Sequence, residues 1–330
     1  MHPMDRGRAI QRFEEIPKLV LGHYPTPVEK LARLRAAVGG GPRIFIKRDD
    51  YTGPGFGGNK VRKLEYVLAA ALQQGADTVI TCGGERSNHC RVTAMLAARL
   101  GLGCVLVLNG RGEEPKPASL AVEQWCGARI ERVASREERA GRMEALVREL
   151  KKAGKNPAMI PLGASDALGA MGFVAATAEL AAQMEVEGWR FDAIYFASSS
   201  GGTHAGLAAG RELFLPGSTE LVGISPDDPA EEIQSTVTSI VQGLGQRLGV
   251  EFTGEIRVLD NFVGAGYGIE SPQSRRAFEL LARTEGILLD PVYTAKAMAG
   301  LLDAINKGQY SESQNLLFWH TGGQLALFHV

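Results

Sequence analysis

Short apolar runs alternating with amphipathic stretches predict an α/β chain on a mostly parallel sheet covered by helices on both faces. Three observations carry that reading. Strand-sized and helix-sized patterns follow one another from Gly75 onward. Loops of glycine and small hydroxyls come directly after several strands. The composition, 45% hydrophobic and 22% charged over 330 residues, is that of a globular protein long enough for two domains and a large core.

The predicted strands are Arg43–Lys47, Thr78–Cys82, Cys104–Leu108, Arg129–Val133, Ala158–Pro161, Ala193–Ala197, Glu220–Ile224, Ile256–Leu259 and Leu316–His320. A helix follows Gly57-Gly58 and runs to about Gln74. Further helical patterns cover Asn88–Leu100, Arg136–Ala153, Ala167–Met184, Thr203–Leu213, Glu231–Leu248, Pro272–Thr284 and Tyr293–Asn306. Gly112–Lys116 is the most linker-like stretch and reads as a surface loop.

Charge and composition exclude several classes. A formal net charge of -1 argues against nucleic acid or an anionic membrane as the main partner. Met1 to Phe13 is polar without an apolar h-region, and no uninterrupted apolar run reaches membrane-spanning length. Cys82, Cys90, Cys104 and Cys126 lack CxxC spacing. A cytoplasmic protein with reduced cysteines is expected. The histidines form no HxxxH or HExxH pair, so no metal site is expected, and no GxSxG elbow suggests a serine hydrolase.

Lys60 is the sharpest chemical signal, in Gly57-Gly58-Asn59-Lys60-Val61-Arg62-Lys63. An amine in the first turn of a helix sits in the positive field of the N-terminus, which disfavours its protonation. Arg62 and Lys63 are expected to push the same way. Such a lysine can attack an aldehyde. The bland alternative is a solvated surface lysine. Ser198-Ser199-Ser200-Gly201-Gly202-Thr203, between a strand and a helix, is the best phosphate cradle, because small residues let successive N–H groups converge on an anion. A plain N-cap turn is the alternative, but it needs fewer hydroxyls. No lysine lies in that loop, which suits the phosphate of a tethered cofactor. Gly53, Gly55 and Gly58 match GxGxxG, yet five residues separate them from the preceding strand, so the dinucleotide fingerprint is set aside and a nicotinamide oxidoreductase stays as the alternative from a different class.

These residues carry a family resemblance. Ile46-Lys47-Arg48-Asp49-Asp50, Gly57 to Glu65, Ser87-Asn88-His89-Cys90-Arg91, Ala167 to Gly172, Ser200 to Leu207, Gly266-Tyr267-Gly268, Leu289 to Thr294 and His320-Thr321-Gly322-Gly323 are similar to the fold-type II pyridoxal-phosphate enzymes. Within them the chain resembles the group of D-cysteine desulfhydrases and 1-aminocyclopropane-1-carboxylate deaminases. The resemblance implies two open twisted mostly parallel sheets with helices on both faces, tryptophan synthase β-like. It implies a large domain from residues 1–63 and 172–330, a small inserted domain over 64–171, and a homodimer.

The resemblance also implies roles. Lys60 would hold pyridoxal 5'-phosphate and move the α-proton of a small amino-acid substrate. Asn88 would bond the pyridine 3-oxygen, and Ser199, Ser200, Gly201, Gly202 and Thr203 the phosphate. Ser87 would bind the substrate carboxylate or assist proton transfer. His89, Ser165, Tyr267 and Tyr293 would meet the substrate, with Tyr293 also catalytic, while Thr294 and Thr321 would lie by the ring. Ring-opening deaminases carry Glu and Leu where this chain has Thr294 and Thr321. A hydroxyl cannot hold the ring nitrogen protonated as a carboxylate does, which suffices when a good leaving group on Cβ drains the carbanion. The expectation is a lyase performing α,β-elimination, with D-cysteine giving pyruvate, sulfide and ammonia. L-Cysteate, 3-chloro-D-alanine, D-serine or deamination of the cyclopropane amino acid are the alternatives. Arg86, where relatives usually have Gln, could meet a second anionic group or pair with an acid such as Glu85.

Overall fold

The computed structural model describes residues 2–110 and 117–328, so the Gly112–Lys116 loop and His329 lie outside it. Its strands are β1 (Val28–Lys30), β2 (Arg43–Arg48), β3 (Thr78–Gly84), β4 (Gly103–Asn109), β5 (Arg129–Val133), β6 (Pro157–Met159), β7 (Ala193–Ala197), β8 (Glu220–Ile224), β9 (Arg257–Leu259) and β10 (Asn315–His320). Its helices are α1 (Pro3–Glu14), α2 (Ala32–Ala37), α3 (Asn59–Gln73), α4 (Asn88–Arg99), α5 (Ala118–Trp125), α6 (Glu138–Lys152), α7 (Ala167–Glu187), α8 (Gly202–Phe214), α9 (Ala230–Leu248), α10 (Pro272–Glu285) and α11 (Thr294–Asn306).

Two sheets result. Six strands pair in the order β1-β2-β10-β7-β8-β9, and four in the order β5-β4-β3-β6. β1 on β2 is antiparallel and the other pairings are parallel. The strands read as apolar runs because both faces are covered. Alternation decides which face each residue serves. Phe45, Leu317 and Trp319 join the core with α7 and α8, whereas Ile44, Ile46, Leu316 and Phe318 join the core with α10 and α11. Phe173 and Trp319 meet at 5.7 Å between ring centroids, a tilted pair worth about 0.5–1.5 kcal/mol beyond its area burial.

α7 is apolar and long enough to cross a bilayer by length and composition, yet it is a core helix. It is wedged between α3 and α8 through small residues. A Cβ on Gly172 would stand 2.3 Å from the carbonyl oxygen of Arg62, and one on Gly206 2.3 Å from that of Ala170. That close packing fixes α3, and therefore Lys60, against the six-stranded sheet.

The strand before α7 starts and stops earlier than expected, at Pro157–Met159, because Pro161 leads into a 3₁₀ turn over Leu162–Ala164. α1, β1, α2 and α5 carried no clear pattern. α1 buries only Ala9, while β1, α2 and α5 are too short for periodicity to show. All four cysteines are free.

Replacing Gly206 by Ala forces backbone atoms of α7 and α8 apart. The expected loss is about 1–3 kcal/mol of stability, seen as a lower urea midpoint at unchanged m-value.

Candidate active site

A cleft of about 900 Å³ opens at the carboxyl ends of strands from both sheets. Open parallel sheets bind ligands there, beside the following helix N-termini. Its wall includes Lys60, Ser87, Asn88, His89, Ser199, Ser200, Gly201, Thr203, Tyr267, Tyr293 and Thr321. Gly202, Ser165 and Thr294 stand behind the wall rather than on it.

Lys60 is the second residue of α3. The start of that helix is pinned by backbone contacts to the ends of β2 and β10. Gly58 N–H donates to the Asp49 carbonyl at 2.8 Å and Asn59 N–H to the Thr321 carbonyl at 3.1 Å. Only glycine fits this junction. Gly57 has φ +68 and its Cβ would lie 1.9 Å from the Asp49-adjacent carbonyl oxygen of Asp50, while a Cβ on Gly322 would lie 2.6 Å from the Gly58 Cα.

Burial brings the Lys60 amine from 10.5 down to about 8, against a small opposing pull from the Cys90 thiol. The direction matches the sequence expectation, but the cause is different. Arg62 is spent: it donates to Asp49 at 2.7 and 2.8 Å and to Glu179 at 2.9 Å. Burial opposes ionisation of Glu179, yet Arg62 and Lys47 hold it down to about 2. Lys63 is buried without a carboxylate in contact among the described residues, and burial followed by the Lys60 charge lowers its pKa well below the usual range.

Lys63 is the residue that the sequence reading undervalued. Its amine donates to Ser165 Oγ at 2.6 Å, and Ser165 Oγ donates to Ser200 Oγ at 2.8 Å. A Cβ on Gly202 would lie 2.5 Å from Lys63 Nζ. The serine turn therefore has a lysine behind it, supplied by α3. The signal was its spacing: positions i and i+3 share one helix face, so Lys63 follows Lys60 toward the site. Gly201 opens α8 with φ +82 and no side-chain cap. Among the described residues, the N–H groups of Ser199, Ser200 and Gly201 have no protein acceptor. Ser198 turns away to His204 Nδ1 at 3.0 Å, and Thr203 Oγ1 accepts from Asn59 at 3.0 Å.

Ser87 caps α4, its Oγ accepting from Cys90 N–H at 3.2 Å. Asn88 Oδ1 accepts from Arg91 Nη1 at 2.8 Å, so the amide is oriented and Nδ2 remains as its donor. Arg91 is 1% exposed and anchors its Nε on the Gly55 carbonyl at 2.9 Å. His89 can be assigned a tautomer. Thr81 Oγ1 donates to the Ile160 carbonyl at 2.9 Å, so it must accept from His89 Nε2 at 2.8 Å. Nδ1 is then a bare, buried acceptor with no partner among the described residues. Burial, then Lys60 and Lys63, keeps the ring neutral.

Tyr267 and Tyr293 share a 2.6 Å hydroxyl–hydroxyl hydrogen bond with edge-on rings. Burial pushes Tyr267 up to about 12 and Tyr293 well above the usual phenol range. Both stay protonated. Thr294, which the resemblance places by the ring, follows Tyr293 of the wall but does not itself line the cleft. Its hydroxyl donates to Asp290 Oδ1 at 2.7 Å and accepts from Asp290 N–H at 2.7 Å. Thr321 remains on the wall. The mouth also carries Glu85, Arg86, Asn109, Arg136, Arg139, Asp227 and Asp228, most of which sequence patterns did not single out. Glu85 pairs with Arg132. Arg136 reaches Asp227 at 3.4 Å and Asp228 at 3.2 Å, joining the β5–α6 loop to the β8–α9 loop.

The residues suit a phosphorylated aldehyde. A half-buried amine of depressed pKa, unspent N–H groups at a helix N-terminus, Lys63 behind them and an oriented amide donor all serve one cleft. Fold and site thus define a lysine-dependent enzyme with a carbonyl cofactor. Comparison with known proteins makes that class specific. The chain belongs to the pyridoxal-phosphate dependent enzyme family, whose model matches residues 19–322. It is 40% identical to a D-cysteine desulfhydrase of Salmonella choleraesuis (strain SC-B67), over 97% of this chain and 98% of that one. A crystal structure of an ACC deaminase homologue superposes with a TM-score of 0.90 at 36% identity, covering 99% of this chain and 97% of that one. An aspartate racemase dependent on pyridoxal 5'-phosphate shares the fold, with a TM-score of 0.65 at 16% identity over 97% and 94% of the two chains. The cofactor of this enzyme is pyridoxal 5'-phosphate.

Two outcomes are expected. In cofactor-free protein, Lys60→Met stabilises the fold below about pH 8, where the native chain holds a charge that is partly desolvated in the cleft. The gain fades as pH rises from 8 to 10.5, since the unfolded amine then also loses its proton. Urea melts at both ends of that window check it. Arg91→Met frees the Asn88 amide to flip, and spectroscopic titration should show weaker cofactor binding, by about tenfold for one lost charge-assisted bond.

Proposed function

We propose that the enzyme is a D-cysteine desulfhydrase, eliminating across Cα–Cβ to give pyruvate, sulfide and ammonia. The observation that carries it is the placing of Lys60. Its amine, lowered to about 8, stands in one cleft with the serine turn, the start of α4 and the tyrosine pair. The full-length likeness to a D-cysteine desulfhydrase supports the substrate.

When bound, the cofactor supplies an electron sink for the charge left at Cα. Lys63 and the N–H groups of Ser199, Ser200 and Gly201 would hold its phosphate, and Asn88 Nδ2 would donate to its ring oxygen. Lys60 would hold its carbonyl carbon, and the same amine would accept the α-proton of the substrate. A pKa near the working pH suits that task, because the amine must be able both to take and to give up a proton. The substrate carboxylate meets Ser87 and the first N–H groups of α4, where the helix field favours an anion. The tyrosines hold two hydroxyl protons and spend one on each other, so one is left for the departing sulfur. Thiolate leaves Cβ with the bonding pair. The released enamine tautomerises, and water hydrolyses the imine to pyruvate and ammonia. Thr321 beside the ring offers a hydroxyl rather than a carboxylate, which suits elimination of a good leaving group over ring opening. The same reading includes a cytoplasmic homodimer, supported by the free cysteines and the family likeness.

Pyruvate and sulfide assays on D- and L-cysteine test this, with the cyclopropane amino acid alongside. D-Cysteine should turn over, and Lys60→Ala should lose at least about 10³-fold in kcat. Turnover of the cyclopropane substrate alone would overturn the assignment. Tyr293→Phe should lower kcat by about 10²-fold with little change in KM.

A further inference from the structure

Lys296 lies in the first turn of α11, close behind Tyr293, and is fully buried. Its ammonium forms no ion pair within contact distance among the described residues. All three of its protons go to backbone carbonyls instead: Pro226 at 2.7 Å, Val263 at 2.8 Å and Gly266 at 2.8 Å. Three converging carbonyl oxygens form the kind of cage that holds a free ammonium or potassium ion. Here a side chain supplies the cation.

The three carbonyls belong to segments that build the cleft wall. Pro226 precedes Asp227, which meets Ser199 Oγ at 3.4 Å and Arg136. Gly266 precedes Tyr267. The stretch 260–271 has neither helix nor strand, and its own backbone bonds are sparse: Val263 to Asp260 at 3.2 Å and Ile269 to Gly266 at 3.3 Å. Gly264, Gly266 and Gly268 all have positive φ, so the chain itself does little to stiffen Tyr267.

We propose that Lys296 is a positioning residue, a tethered cation that ties the Tyr267 loop and the Asp227 turn to α11 and so sets Tyr267 against Tyr293. It does not touch the reacting atoms. Removing the amine leaves the Pro226 and Val263 carbonyls without a donor and Gly266 with only the long bond from Ile269 N–H at 3.3 Å, and a small soluble cation with N–H groups can take the place of the amine.

The test uses the holoenzyme of Lys296→Ala, followed by hydrogen exchange and by kinetics. The kinetic arm rests on the D-cysteine reading, while the exchange arm does not, so the two failures are distinguishable. The variant should retain the visible absorption of the bound cofactor. Amide exchange over 260–271 should rise, and kcat for D-cysteine should fall by about 10²-fold, as a misplacement near 1 Å produces. Ammonium chloride should reverse both changes, whereas tetramethylammonium chloride at equal ionic strength, which lacks N–H donors, should reverse neither. In a Tyr267→Phe background the same substitution should cost little further kcat, because the group that it positions is gone. Wild-type exchange and kcat in Lys296→Ala would overturn the proposal, as would losses indifferent to ammonium or fully additive with Tyr267→Phe. Lys296→Met, which keeps the bulk of the side chain, is read by the same criteria if the alanine variant does not fold.

Discussion

The contact between Gly58 and Gly322 is the constraint on which the site depends. It brings the first turn of α3 against the carboxyl end of β10, so closely that a Cβ on Gly322 would overlap the Gly58 backbone. Asp49 serves both layers of this junction. Its carbonyl accepts the Gly58 N–H, and its carboxylate binds the Arg62 guanidinium one turn further along the helix. Position and orientation of α3 are thus set by the ends of β2 and β10 and by its packing on α7, before any cofactor is considered. Lys60 enters the cleft because its helix has no other way to lie.

The same junction sorts three neighbouring cations into different states. Arg62 is buried with Asp49 and Glu179, so it adds structure and little net field. Glu179 also binds Lys47, on the adjacent strand, and Thr26 Oγ1 completes the network. Removing one member would strand a buried charge, which costs several kcal/mol. Lys63 has no such partner and rests on Ser165 beside the serine turn. Lys60 is the amine left in the cleft, and desolvation alone accounts for most of its lowered pKa. Helix-dipole reasoning from sequence reached the right direction by a weaker cause. The screening of Arg62 could not be read locally, because Asp49 is 13 positions away and Glu179 is 117.

Much of the core was legible because strands buried on both faces read as apolar runs. Arg129–Val133, Ala193–Ala197 and Glu220–Ile224 occupy the predicted bounds, and α3 and α4 begin at the residues expected. Local loops were legible for the same kind of reason: glycine and hydroxyl runs mark the ends of strands. What escaped is what long-range packing decides. Lys63 serves the turn of another helix, Arg91 orients Asn88, and Lys296 gathers carbonyls from positions 226, 263 and 266. None of these has a motif, since a carbonyl acceptor leaves no mark in sequence.

Thr294 shows how such packing changes a chemical argument. Asp290 accepts from the N–H groups of Val292 and Tyr293 at 2.9 Å, from that of Thr294 at 2.8 Å and from the Thr294 hydroxyl at 2.7 Å. Four donors occupy its carboxylate, which leaves little acceptor capacity for a ligand. The hydroxyl of Thr294 has one proton, and Asp290 takes it. The pair therefore acts on the backbone: it caps α11 and fixes Tyr293 at the residue before the helix. A Cβ on Gly323 would lie 2.7 Å from the Asp290 carboxyl carbon and 2.9 Å from Asn88 Nδ2, so the absent side chain keeps the amide free on its cleft side. Of the two threonines, Thr321 alone lines the cleft wall, while Thr294 acts on the loop that carries Tyr293. A glutamate in place of Thr294 would have to compete with Asp290 for the same N–H groups, and like-charge repulsion would move the cap that aims Tyr293.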